Sequence, residues 1–371
     1  MSERMTGGLA RGFRAAMALL LAVALSLPAG ALNVQAYADE PMQPAAAAGA
    51  KTQALGGDES EIKIAVLSDM HYYPVNFVSD CEDYKTYVGG DPKMLEESGS
   101  IADAALQMVR EDNPDILLVS GDLTKDGEIQ GHRDLAAKFQ KLEDDTDTEI
   151  FVINGNHDLY NYTDACTFEN GQKESAETTE QDDFKTIYAN FGYNGEYNAQ
   201  YFENPKAAQG ELAGQMSYTV DLGKFRIVAI DSCCYSPDGG NGMGTNEHIT
   251  AGRIDEDLMP WVVDQIKDAE EAGDTVIGLM HHGVVPHFQG EEDLLYEYVV
   301  DDWQNVATQL ADAGMRYVFT GHMHANDISQ YTSVSGNTIT DLETGSLSSW
   351  MSPQRHVTIT KGEPLGDGTS R

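Results

Sequence analysis

Residues Ile64–His71, reading IAVLSDMH, carry the pattern on which the fold turns: a short apolar run that stops at a polar cluster with metal-ligand chemistry. Five further runs repeat the apolar stretch and its polar stop, as ILLVSGD to Asp122, IFVINGNHD to Asp158, RIVAIDS to Ser232, VIGLMHH to His282 and YVFTGHMH to His324, and all of these but RIVAIDS supply candidate ligands. An apolar run of this length bounded by turn residues reads as a buried parallel strand. In open α/β sheets, ligands gather just beyond the carboxyl ends of such strands. Asp69, His71, Asp122, Asn156, His281, His322 and His324 are therefore expected to meet in one place. Their Asp, His and Asn donors are about the number that a pair of transition-metal ions needs.

Between these runs the apolar spacing turns helical. Ile101, Ala105, Met108 and Val109 share one helical face that ends before Asn113-Pro114, and Leu135, Ala136 and Phe139 share another. Strand-helix-strand-helix-strand order implies right-handed crossovers and a parallel sheet. Met216–Asp221 and Phe225–Asp231 flank Leu222-Gly223-Lys224, a hairpin signal. Residues 258–269 read as an amphipathic helix, 304–313 as another, and 338–342 and 356–360 as late strands. Tyr72 to about Lys93 reads as a polar loop, and residues 285–303 as an acidic insertion.

The chain has 371 residues and a net charge of -38. Such acidity argues against nonspecific binding of nucleic acid, yet leaves room for a small phosphorylated substrate, because bound cations invert the local field. Arg4, Arg11 and Arg14 precede the apolar run Ala15–Leu27, and Ala36-Tyr37-Ala38 offers a cleavage site before Asp39, with Ala29-Gly30-Ala31 as an alternative. Residues 1–38 thus read as a signal peptide and the protein as secreted; an uncleaved anchor is the other reading, though the run is short for a span. Residues 39–58, rich in Ala, Gly and Pro, read as a linker. Residues 59–371 read as the domain, with a polar tail from about 361 that is either a natural end or the edge of a longer protein. No later segment is apolar enough to span a membrane, and oligomeric state is not legible. In an oxidising compartment Cys81 and Cys166 could pair if their loops share a rim; Cys233-Cys234 follow a strand and read as thiols. A GxGxxG fingerprint, a P-loop and a G-x-S-x-G elbow are absent.

The ordered series Asp69-x-His71, Gly121-Asp122, Gly155-Asn156-His157-Asp158, His281-His282 and Gly321-His322-x-His324 resembles the calcineurin-like metallophosphoesterase superfamily, in a secreted bacterial branch. The resemblance covers residues 62 to about 330. It implies an α/β fold, a four-layer α/β/β/α sandwich of two mixed sheets flanked by helices. It assigns Asp69, His71, Asp122 and His324 to one metal, and Asp122, Asn156, His281 and His322 to a second, with Asp122 bridging. Imidazole suits zinc and iron, and the added carboxylate and amide oxygens suit manganese. Family members often carry a proline sooner after the ligand than this chain does in His281-His282-Gly-Val-Val-Pro286, which leaves the choice between His281 and His282 open. His157 corresponds to the family's phosphate-facing histidine, which stabilises charge or protonates the leaving oxygen, with Asp158 or Asp69 orienting its ring.

The implied activity is a dinuclear phosphoesterase in which cations activate a water. The Asp-x-His and Asn-His-Asp wording resembles the cyclic-nucleotide phosphodiesterase-like branch and so points to small phosphodiesters. A phosphomonoesterase of acid phosphatase or nucleotidase type is the alternative; a metal-loaded binding protein or a surface nuclease has less in its favour. His132, His248, His287 and His356 read as surface residues. The stretch Gln289–Asp302 and the loop Tyr72–Asp91 are expected to border the pocket, with Glu291, Glu292 and Asp293 repelling highly charged substrates.

Overall fold

The computed structural model describes residues 60–210, 212–234 and 250–361. The segments read from the sequence as a signal peptide and a linker, together with His248 and the tail beyond 361, lie outside them. In chain order the elements are β1 (Glu61–Leu67), α1 (Glu82–Gly90), α2 (Ser98–Asp112), β2 (Ile116–Val119), α3 (Ile129–Asp145), β3 (Glu149–Val152), β4 (Cys166–Thr167), β5 (Glu174–Ser175), α4 (Gln181–Ile187), β6 (Gln200–Tyr201), β7 (Tyr218–Leu222), β8 (Phe225–Ile230), α5 (Leu258–Ala272), β9 (Thr275–Met280), α6 (Glu291–Leu294), α7 (Trp303–Ala313), β10 (Tyr317–Thr320), β11 (Asp327–Thr332), β12 (Thr338–Glu343) and β13 (Arg355–Thr360).

One sheet has the order β13-β1-β2-β3 and the other β11-β12-β10-β9-β8-β7-β6. Within the first, β1, β2 and β3 run parallel and β13 closes the edge antiparallel. Within the second, β12, β10, β9 and β8 run parallel, and β11, β7 and β6 add antiparallel edges. Both sheets are mixed, because hairpins and a returning strand extend parallel cores.

Side-chain alternation sets the layers. On β8 and β9, Ile227, Ala229, Ile277 and Leu279 join a core with β1, β2 and β3, which α2 and α3 also enter through Ala102, Ala105, Val109, Leu135 and Phe139. The intervening Val228, Ile230, Val276 and Met280 join a second core with Val262 and Ile266 of α5 and Ala307 and Leu310 of α7. Alternate residues of a strand face opposite sides, so the second sheet lies between the first sheet and its own helices. This is the α/β/β/α sandwich. Strands covered on both faces must be apolar throughout, as β2 is, with all four residues buried.

Local signals act as expected at several boundaries. Asn113 ends α2 in a left-handed conformation, with its N–H on the Val109 carbonyl, and Pro114 cannot continue the helix. Gly223 turns at positive φ between paired Leu222 and Phe225. Three features differ from the sequence reading. The polar stretch after Tyr72 contains α1, begun by Cys81, whose Sγ accepts the Tyr84 N–H at 3.4 Å. The strand β11 was not legible, because an edge strand reading DISQYT keeps every residue at least partly exposed and has no apolar run. Cys81 and Cys166 do pack around one cluster with Tyr73, Tyr84 and Phe168, but all four cysteines are free thiols. Among the described residues no helix is long and apolar enough to cross a membrane.

Candidate metal centre

Loops leaving the carboxyl ends of β1, β2, β3, β9 and β10 converge where the two sheets meet. Their chain is sharply bent: Asp69, His71, Asp122, His322 and His324 all have positive φ, between 39° and 72°. Non-glycine residues seldom adopt this region, at a cost of roughly 1–3 kcal/mol each, and such strain concentrates at functional sites. Backbone hydrogen bonds hold the bends, among them Asp69 N–H to the Gly121 carbonyl at 3.1 Å, His71 N–H to Asp122 at 2.9 Å and Gly321 N–H to His281 at 2.9 Å. The glycine at 155 is needed for close approach, since a Cβ there would lie 2.2 Å from Asp122 Oδ1.

Two groups of donors result. Asp69, His71, Asp122 and His324 offer ligand atoms within 4.8 Å of one another, and so do Asp122, His281 and His322. Nε2 of His71 and Nε2 of His324 are 3.1 Å apart, and Asp69 Oδ1 lies 3.8 Å from the first and 3.2 Å from the second. That carboxylate oxygen is buried with no hydrogen-bond partner. An orphaned oxygen facing two imidazole nitrogens fits a cation better than it fits a hydrogen-bonded core. Asp122 presents Oδ2 to His71 Nε2 at 3.7 Å and Oδ1 to His281 Nε2 at 3.4 Å, so one carboxylate faces both groups. Asn156 joins the second group with its Oδ1 3.0 Å from His281 Nε2. His322 gives Nε2 to the Glu297 carbonyl at 3.0 Å, which leaves Nδ1 for a ligand.

Charge states follow from burial and neighbours. Burial, with Lys93 next, holds His71 well below its ordinary pKa, and burial with His282 and His281 does the same to His322. Burial alone would lower His281, but the charge of Asp122 and a hydrogen bond to it raise it to about 9. A metal would displace that proton, as ligation requires neutral imidazole.

His157 is about one-fifth exposed, at 21%, and its Nδ1 lies 2.8 Å from Asp126 Oδ1. Burial would lower its pKa, yet Asp122 and Asp126 raise it. The partner of His157 is thus Asp126, and neither Asp158 nor Asp69 orients it. Asp158 turns away beneath the loop, accepting N–H groups of Leu123, Thr124 and Gly155 at 3.2, 3.0 and 2.7 Å. Asp126 also accepts Lys125 Nζ at 2.7 Å. Asp126 lies in the loop after Asp122 and was not singled out in the sequence.

The structure separates the adjacent histidines. His281 faces Asp122 and Asn156, whereas His282 is fixed by Ser232 Oγ at 2.8 Å and the Thr250 carbonyl at 2.9 Å. His132 and His287 are corrected from surface residues to interior ones: His132 is fully buried against Tyr188 and Thr124, and the His287 side chain is 5% exposed beside Asp327, Asp341 and Glu343. His356 is exposed as expected. A cavity of about 140 Å³ opens at the donors, lined also by Lys93, Thr250, Tyr298 and Met323. Of the acidic insertion, Tyr298 reaches this cavity while Glu291, Glu292 and Asp293 do not line it. Glu291 is buried, accepting the His287 N–H at 2.6 Å, and the other two are exposed.

A four-layer sandwich with convergent Asp, His and Asn donors defines a metal-dependent hydrolase. The sequence model of the calcineurin-like phosphoesterases matches residues 62–326, more than half of the chain, and the chain belongs to that family. It is accordingly a phosphoric ester hydrolase. No curated protein matches the sequence significantly. Among solved structures, it is similar to a dimetal phosphatase from Danio rerio at 13% identity, covering 81% of this chain and 98% of that one, with a TM-score of 0.48. A putative 5'-nucleotidase from Staphylococcus aureus, solved with alpha-ketoglutarate, shows 14% identity over 81% of this chain and 51% of its own, with a TM-score of 0.39. The chain thus spans about half the length of that second protein.

Proposed function

We propose that this protein is a secreted hydrolase of small phosphodiesters that works with two transition-metal ions, iron, manganese or zinc. Asp69, His71, Asp122 and His324 would hold one, and Asp122, Asn156, His281 and His322 the other. The observation that carries this reading is the Asp122 carboxylate, with one oxygen toward each donor group. When bound, such cations neutralise phosphate oxygens and make a water nucleophilic near neutral pH.

The chain's own residues supply the rest. His157 gives the leaving oxygen a proton from Nε2, because Asp126 occupies Nδ1. General acid catalysis of this kind contributes about a hundredfold or more. The cavity of about 140 Å³ supports compact substrates. Monoester hydrolysis is the second reading, and Lys93 in the cavity wall favours it, since a monoester carries one more negative charge. Secretion rests on the basic and apolar start of the sequence alone.

The test is metal analysis of purified protein together with a panel of phosphomonoesters and phosphodiesters, before and after chelation. Chelation is expected to abolish turnover, and manganese or zinc to restore it. Full turnover by metal-free protein would refute the reading.

A further inference from the structure

We propose that Lys93 is the residue through which this site reads substrate charge, binding a phosphate oxygen that the metal ions leave uncovered. The inference rests on the phosphoesterase reading and deepens it. In a chain of net charge -38, Lys93 is, among the described residues, the one Lys or Arg side chain in the cavity wall; the one carboxylate there, Asp122, belongs to the donor groups. Its side chain is only 11% exposed. Asp91 does not fully neutralise it: Asp91 Oδ1 lies 3.9 Å from Nζ and accepts the Lys93 backbone N–H at 2.9 Å, while Oδ2 faces Lys125 at 3.5 Å. Lys93 lines the same cavity as Asn156, His157, His322 and His324.

The backbone holds Lys93 in register with the donors. The next residue, Met94, gives its N–H to the Ser348 carbonyl at 2.7 Å, and the hydroxyls of Ser346 and Ser348 bond the Asp69 carbonyl at 2.9 and 3.5 Å. Lys93 is thereby tied to the segment that presents Asp69. During in-line displacement phosphorus carries three equatorial oxygens. Two can face the cations, while the leaving oxygen faces His157. The third is anionic in a monoester and an ester oxygen in a diester. A lysine ammonium, a compact point charge, favours the anionic one.

The experiment is K93M beside K93R, with 4-nitrophenyl phosphate, bis(4-nitrophenyl) phosphate and inorganic phosphate as probes of the manganese-loaded protein. K93M is expected to lower kcat/KM on the monoester about tenfold more than on the diester, through KM, and to weaken calorimetric phosphate binding about tenfold. K93R recovers part of each loss at unchanged metal content. Equal losses on both esters would overturn the proposal, placing the action of Lys93 in the chain Asp91, Lys125, Asp126 and His157. Unchanged phosphate affinity would overturn it as well. If the native protein hydrolyses neither ester, the proposed function fails, while phosphate binding still decides the role of Lys93.

Discussion

Asp126→Asn changes one oxygen to nitrogen and removes one charge, and its consequences can be worked from the geometry around His157. The native contact is a 2.8 Å hydrogen bond from the ring Nδ1 to a carboxylate. A bond to a charged partner is worth about 1.5–3 kcal/mol and a neutral one about 0.5–1.5 kcal/mol. Asparagine can still accept from Nδ1, so the expected loss is about 1–2 kcal/mol, or roughly 5- to 30-fold in rate. Lys125 loses its 2.7 Å partner and keeps Asp91 at 3.5 Å, which sets its charge closer to an unpaired state and adds to the loss. The donor groups contain no Asp126 atom, so metal content should stay constant. The deficit must then depend on the leaving group, because an ester that departs as a weak base needs no proton. The assay is kcat/KM over a series of aryl phosphates of graded leaving-group pKa, with metal content measured on the same samples. A steeper dependence in the variant is expected. A uniform loss across the series, or loss of metal, would refute the idea that Asp126 acts through the proton on His157.

Gly155→Ala should push Asp122 out of place, since the new Cβ would meet its Oδ1 at 2.2 Å and its backbone nitrogen at 2.3 Å. A displacement of that order costs about a hundredfold in rate, and elemental analysis should show both metals depleted; full occupancy would count against the bridging role of Asp122. Asp122→Ala is the harsher form, for which activity at background and loss of both ions are expected, and retention of both ions at normal rates would sink the assignment. Stability should fall between about pH 6.5 and pH 9, followed by thermal unfolding in matched buffers. Burial would lower the pKa of His287, but Asp341 and Glu343 raise it from 6.5 to about 9. Its contribution is therefore fully present below pH 6.5 and lost as pH rises through 9, with a ceiling of about 3 kcal/mol. His287→Gln should flatten the decline, and an unchanged slope would refute the assignment.

The donors were legible in the sequence for a physical reason that does not extend to their supports. A cation accepts few residue types, and a strand covered on both faces must be apolar throughout, so IAVLSDMH and YVFTGHMH announce both a strand and the donors at its carboxyl end. Asp69 and His324 could be expected to meet without any knowledge of the loops. The partner of His157 obeys no such restriction, since any nearby carboxylate would serve and only the loop path decides which one does. Asp158 follows His157 directly, yet Gly127, with φ of 76°, folds the loop after Asp122 back over residues 157 and 158. Asp158 is then consumed by three backbone N–H groups, and Asp126 is delivered to the ring. Lys93 and Tyr298 were hidden for a related reason. Both lie in long polar stretches whose only sequence signal was their place after a donor, and it is packing that selects which residue reaches the cavity. The same logic misplaced His132 and His287, where a hydrogen bond to Tyr188 and ion pairs to the acidic end of β12 make an interior position tolerable. Polar burial of that kind depends on partners brought in by other loops and strands, Tyr188 and Glu343 among them, so it leaves no periodic trace. Residues chosen by chemistry could be read from the chain, whereas residues chosen by loop geometry had to be seen.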